Sequence, residues 1–197
     1  MPTLKGSKTE KNLMRAFAGE SQARNRYTFY AEAAKKENNE YLYHVFTETA
    51  NNERAHAKVF FDLLAQALTP ESEVLIEDGT YPVATGTTEQ NLNYAANGEN
   101  NEWTTVYPEF QKIAEEEGFK EVAIAFKHII EVEKSHYERY KLLYQLMKEN
   151  KLYKRDEQIS WRCMNCGYIY EGTTAPLACP LCKYPQGYYE RYYGTEQ

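Results

Sequence analysis

The sequence predicts a mainly α chain: a four-helix bundle with one long crossover, followed by a small metal domain of β/loop character. Three observations predict it. Four long stretches carry apolar residues at alternating steps of three and four, the spacing of a buried helical stripe. Between the second and third, a stretch broken by Pro70, Gly79, Pro82 and Gly86 keeps no helical period. All four cysteines then fall between positions 163 and 182, in a segment rich in Tyr, Gly and Pro. A chain of 197 residues is long enough for one well-buried domain plus a small second one.

The first helix is expected over roughly 8–37, with Leu13, Phe17, Glu20, Tyr27, Ala31 and Ala34 near one face, and "NNE" at 38–40 breaks it. The second, about 40–68, carries Leu42, Phe46, Thr49, Glu53, His56, Phe60, Leu63 and Ala67, and stops at Thr69-Pro70. Residues 69–90 suit a crossover running the length of a bundle, the connection found in ferritin-like folds. The third helix, about 91–117, aligns Ala95, Glu99, Glu102, Val106, Phe110 and Ile113, and Gly118 ends it. The fourth, about 119–149, is the most regular: Val122, Phe126, Ile129, Glu133, His136, Tyr140, Leu143 and Met147. Composition then changes sharply, which divides the chain into a bundle (1–150), a charged link (151–160) and a cysteine domain (161–197).

Net charge is −6 and no basic patch stands out, so nucleic acid is not an expected partner. No apolar run reaches the length of a membrane span, and "MPTLKGSKTEKNL" holds no signal-peptide core. The expectation is a cytoplasmic protein with no membrane partner. Cysteines crowded together in a reducing compartment point to a metal site rather than to disulfides.

The chemistry concentrates on the stripes. Glu20, Glu53, His56, Glu99, Glu102, Glu133 and His136 all sit where the core should be. An ionised carboxylate in a dry core costs several kcal/mol (roughly) unless it is paired or bound to a cation. Five beside two histidines call for metal cations. Residues at i and i+3 share a helical face, so Glu53 with His56, and Glu133 with His136, can grip one ion or two neighbours. Glu20 precedes Glu53 by 33 residues and Glu99 precedes Glu133 by 34, so the chain reads as two helix pairs. Each pair supplies a Glu and then Glu-x-x-His, the rule for di-iron and di-manganese bundles. Carboxylate and imidazole donors suit iron or manganese. His44 and His128 fall off the stripes and read as ordinary surface or packing residues.

Glu102 exceeds the six-ligand scheme. Four glutamates neutralise two ferrous ions, and a fifth would favour the oxidised pair. The expectation is that Glu102 binds in the oxidised state and yields to His56 in the reduced one. Tyr27 and Tyr107 can hydrogen-bond a ligand, although plain packing explains them equally well.

In the tail, Cys163-x-x-Cys166 and Cys179-x-x-Cys182 supply four thiolates in tetrahedral array, suited to zinc or to one iron. Gly167, Pro180 and a possible shield of Trp161, Tyr168 and Tyr170 lean towards iron, which carries one electron where zinc carries none.

"CMNCGYIYEG" with "CPLCKYPQ" resembles the rubredoxin-type module that ends rubrerythrins. "AGESQARNRY", "ERAHA", "GENNEW" and "EKSH" resemble that family's di-iron helices in order, over about residues 5–193. The resemblance implies a non-haem di-iron peroxidase that reduces hydrogen peroxide to water in oxidative stress defence. One iron would take Glu20 with His56 or Glu102, the other Glu99 and His136, with Glu53 and Glu133 bridging. It also implies one iron held by four cysteines and fed by an NAD(P)H-dependent reductase or a rubredoxin. A homodimer or higher homo-oligomer is implied too, with one subunit's cysteine module near the other's di-iron site. The twelve residues 149–160 could reach at most ~40 Å, which leaves delivery within or between subunits open. The rival readings are a ferroxidase, iron-handling or oxygen-reducing ferritin-like protein, and a non-enzymatic metal sensor with structural zinc in the tail.

Overall fold

The computed structural model describes residues 2–77 and 79–194. Met1, Asp78 in the crossover and residues 195–197, which the expected domain limits include, lie outside the described residues. Helix α1 spans Lys8–Lys36 and α2 spans Glu40–Ala67. Asn38 takes a left-handed conformation (φ 58°) between them, and the Asn39 side chain accepts from the Leu42 N–H, capping α2. The two helices pack along each other, and α5 (Lys120–Lys148) packs along the third rod.

That third rod is not one regular helix. It runs as α3 (Thr88–Asn101), a π-helical turn (Glu102–Val106) and α4 (Tyr107–Glu116). The π turn inserts one residue into the helical count. Its effect is a change of face. Glu99 is fully buried before the turn, but after it the buried residues are Tyr107, Phe110 and Ala114, while Val106 and Ile113 are only half-buried. Ala67, expected on the α2 stripe, is exposed on the helix's last turn.

The crossover straps α1. Tyr81 Oη donates to the Arg15 carbonyl (3.0 Å), Arg15 Nη2 donates to the Glu77 carbonyl (2.6 Å), and Tyr30 Oη donates to the Ala84 carbonyl (2.7 Å). α3 starts at Thr88, ahead of the expected 91, because Thr87 and Gln90 form a reciprocal capping box.

Residues 151–160, expected as a link, are mostly strand. β1 (Lys154–Cys163) lies between β2 (Ile169–Thr174) and β3 (Tyr189–Tyr192), antiparallel to both. A register shift between Lys154, which pairs with Thr174, and Ile159, which pairs with Gly172, interrupts the ladder in its first half. The module's core is Trp161, Ala175 and Tyr189 with Cys163 and Cys179. Tyr153 packs against both this core and the bundle's, and its hydroxyl donates to Asn39 Oδ1 (2.8 Å). Beside it, the 3-10 turn Gln186–Tyr188 closes on the α1–α2 corner. A Cβ on Gly187 would collide with the Asn38 carbonyl and stand 2.8 Å from Asn39 Cα.

Candidate metal centres

Six of the seven predicted bundle residues converge. Glu20, Glu53, Glu99 and Glu133 are at most 1% exposed, and His56 and His136 lie beside them. The donor atoms form two groups, each within 4.8 Å: Glu20, Glu53, His56 and Glu133, and Glu53, Glu99, Glu133 and His136. Glu53 and Glu133 belong to both. The two halves mirror one another. His56 Nδ1 lies 2.9 Å from Glu133, 3.2 Å from Glu53 and 3.7 Å from Glu20. His136 Nδ1 lies 2.9 Å from Glu133, 3.3 Å from Glu53 and 3.8 Å from Glu99.

Helix geometry produces this. Each Glu-x-x-His pair presents both side chains from consecutive turns of one helix, α2 or α5, and each lone Glu faces them from α1 or α3.

The charges are unbalanced without cations. One oxygen of each glutamate (Glu20 Oε2, Glu53 Oε1, Glu99 Oε2 and Glu133 Oε1) is buried without a hydrogen bond. Four such acceptors around two imidazole nitrogens are a donor set for two ions, and the residues fit a binuclear metal site. The protein alone answers with protons. Burial, then the Glu53 and Glu133 charges, pushes the Glu99 carboxyl up to about 8. Burial, then the same two neighbours' charges, also raises Glu20 well above the usual range. For His136, burial works downward, but the hydrogen bond to Glu133 and the nearby Glu53 and Glu99 carboxylates outweigh it and push the imidazole up to about 12. His56 is raised in the same way by Glu133, Glu20 and Glu53 against its burial. Burial likewise raises Glu53, but the two histidines beside it prevail and hold it below the usual range.

Tyr27 and Tyr107 hold the two lone glutamates. Tyr27 Oη donates to Glu99 Oε1 (2.5 Å), and Tyr107 Oη donates to Glu20 Oε1. Burial, followed by the charge of each one's own glutamate, raises both phenols, so they stay protonated and remain donors. Of the two uses the sequence allowed them, hydrogen bonding is real and packing accompanies it. Asn52 was not foreseen: its amide lies 3.2 Å from His136 Nε2, on the ring edge away from the carboxylates. A residue next to Glu53 in sequence gives no spacing signal for that contact.

Glu102 stands apart from both donor groups. It opens the π turn, deep among bundle atoms yet with part of its surface on a cavity. Burial, then Glu99, Glu133 and Glu53, raises its carboxyl well above the usual range. His44 and His128 are exposed, His44 near the half-buried Glu40 and His128 near the exposed Glu131.

In the tail, Cys163 Sγ lies 3.7 Å from Cys182 Sγ, and Cys166 Sγ lies 3.7 Å from Cys179 Sγ. Four sulfurs placed tetrahedrally at about 2.3 Å from one ion stand about 3.8 Å apart, so the four fit a single metal. No disulfide joins them. Each Cys-x-x-Cys knuckle ends in a left-handed residue, Gly167 (φ 78°) or Lys183 (φ 65°), whose N–H bonds back to the first cysteine's carbonyl. Cys163 and Cys179 are buried and Cys166 is exposed. Trp161 shields the cluster as expected, but Tyr170 turns outward and Tyr189 takes the inner position.

Residues 11–144 match the rubrerythrin family model, and residues 161–190 match the rubredoxin-like domain of rubrerythrin. Rubrerythrin-1 of Clostridium acetobutylicum is 55% identical, covering 96% of this chain and 97% of its own. Rubrerythrin of Porphyromonas gingivalis is 49% identical over 95% and 92% of the two chains. Among solved structures, mixed-valent nigerythrin aligns with a TM-score of 0.64 at 29% identity, over 98% of this chain and 94% of that one. A bacterioferritin from Desulfovibrio desulfuricans shares the bundle fold at 22% identity and a TM-score of 0.65, over 73% and 82%. The bundle's Glu/His cluster is therefore a di-iron site, joined to a four-cysteine cluster in a rubredoxin-like module. The chain belongs to the rubrerythrin family.

Proposed function

We propose that the protein is a cytoplasmic peroxide reductase that converts hydrogen peroxide to water at the Glu/His centre. Its electrons come from an NAD(P)H-dependent reductase or a rubredoxin, and enter through one iron held by Cys163, Cys166, Cys179 and Cys182. The observation that carries this reading is the pair of donor groups sharing Glu53 and Glu133. Iron in both groups supplies two electrons at one place, the number that cleavage of a peroxide O–O bond takes.

The chain's residues do the rest. Glu53 and Glu133, common to both donor groups, would hold both ions, Glu20 with His56 would complete one position, and Glu99 with His136 the other. Tyr107 and Tyr27 fix Glu20 and Glu99 through one oxygen each, leaving the second oxygen of each carboxylate for metal. Glu102 would serve as the reserve ligand, a fifth carboxylate available to a more highly charged oxidised pair, with His56 as the neutral donor that would take its place in the reduced one. The geometry favourable to this is its place on the π turn, one helical turn past Glu99. Crystals of both redox states with identical ligands would refute the exchange. The exposed Cys166 edge suits one-electron entry.

The test is stopped-flow oxidation of the fully reduced protein. Peroxide is expected to reoxidise the bundle site far faster than dioxygen does. The reverse order would make the protein an oxygen-reducing or iron-handling relative. A red ferric–thiolate absorption is expected from the tail, and a colourless tail would place zinc there.

A further inference from the structure

A cavity of about 650 Å3 opens between α1, the π turn and the crossover. Gly19, Gly98, Glu102 and Tyr107 line it beside the metal ligands, and crossover residues including Tyr81 and Pro82 line it opposite. Its volume falls in the range of small-molecule sites and far exceeds what hydrogen peroxide occupies.

Two features say that the space is for a ligand. Gly19 and Gly98 sit inside helices, each directly before a lone metal-ligating glutamate, and neither has a positive φ. A Cβ on Gly19 would come no closer than 3.7 Å to Tyr81 and 4.0 Å to Tyr107; one on Gly98 would come no closer than 3.8 Å to Arg26 and 3.9 Å to Tyr27. Alanine would therefore fit at both, and would stabilise each helix by about 1 kcal/mol. What glycine provides is open space on the cavity wall, one residue before Glu20 and Glu99 in the chain. The second feature is Arg26, which lines the same cavity and is 9% exposed. Its Nε donates to Gln22 Oε1 (2.7 Å), its guanidinium lies 5.5 Å from the Tyr27 ring centre and interacts with Tyr30 and the Glu102 carboxyl, and Nη1 alone is buried without a hydrogen-bond partner. A buried, clamped donor with no acceptor is costly unless something else supplies one.

We propose that this cavity binds small organic hydroperoxides and their alcohol products, with Arg26 Nη1 donating to the ligand oxygen and the organic group lying against Tyr81, Tyr94 and Phe110. The protein then reduces ROOH to ROH and water. The O–O bond breaks, and each oxygen takes one electron and one proton. The electrons are those of the peroxide reaction proposed above, on which this extension rests, and the protons come from solvent at the cavity mouth.

The test separates binding from turnover. In the oxidised holoprotein, calorimetry should detect 2-phenylpropan-2-ol, the product of cumene hydroperoxide. Thr105→Phe, which fills the exposed mouth, and Arg26→Met, which removes the donor, should each weaken it about tenfold. With the reduced protein, the ratio of kcat/KM for cumene hydroperoxide to that for hydrogen peroxide should fall about tenfold in Thr105→Phe. Absence of alcohol binding, binding indifferent to both variants, or failure of the wild type to reduce cumene hydroperoxide overturns the proposal. Failure of hydrogen peroxide to outpace dioxygen would instead overturn the underlying function, leaving the alcohol-binding result to stand by itself.

Discussion

Tyr107 and Tyr27 show how much one hydroxyl can decide. Each donates to one oxygen of a lone glutamate and leaves the other oxygen, itself without a hydrogen bond, to the Glu/His cluster. Tyr107→Phe is expected to lower iron affinity or peroxide turnover about 10–100-fold, as loss of a ligand-orienting hydrogen bond does. Iron titration and stopped-flow measure it, and Tyr27→Phe should act in parallel through Glu99. Protonation gives a second residue-scale prediction. In the metal-free protein both imidazoles are raised, His136 to about 12, so their pairing with the carboxylates stabilises fully below the ordinary value of 6.5 and is lost only as pH climbs through the raised one. Iron held through the same Nδ1 atoms would need them unprotonated. Loading at neutral pH should therefore release about two protons from the histidines, with more from Glu99, and apparent affinity should rise with pH. A pH-stat titration without proton release would contradict this. The convergence of these six residues was legible because burying acids on an apolar stripe has few physical explanations. Asn52 and Arg26 were not, since a single polar residue on a helix carries no sign of what it will face.

At the scale of elements, the first and third rods are tied by Glu117. Its carboxylate, at the end of α4, accepts from the Thr9 N–H (2.8 Å), the Thr9 hydroxyl (2.6 Å) and the Lys8 N–H (3.1 Å) at the start of α1. It acts as a helix cap supplied from across the bundle. Burial works upward on this carboxyl, but the Thr9 and Lys8 donors prevail and hold it below 4.5. A depressed carboxyl stabilises above its unfolded value and loses that contribution as pH falls through the folded one. Glu117→Gln should thus cost about 1 kcal/mol at neutral pH and close to nothing in acid. Denaturant melts at the two pH values check it. Helix positions were legible from periodicity, and Thr87-x-x-Gln90 could have fixed the start of α3 as a capping box. The π turn could not be read, because inserting one residue changes the face without changing helix propensity. That is why Tyr107, not Val106, reaches the core. The first half of β1 was hidden by its charges, which a strand with exposed positions accommodates as readily as a loop.

Across the whole molecule, the two modules meet at the α1–α2 corner, where Gly187 lies against Asn38 and Asn39 and Tyr153 bonds Asn39. There is no room for a side chain at Gly187, because the opposing atoms are backbone. Gly187→Ala should leave both metal spectra intact while slowing reduction of the bundle site by the cysteine centre, and should expose the corner to hydrogen exchange. Unchanged transfer would show that the docking seen here does not set the electron path. None of the described helices is long and apolar enough to cross a membrane.

The most direct test of the account is anomalous diffraction at the iron edge from iron-loaded crystals. Two peaks are expected within each bundle, both in contact with Glu53 and Glu133, and a third among the four sulfurs. A single peak, confined to the cysteines, would mean that the buried acids do not assemble a binuclear centre.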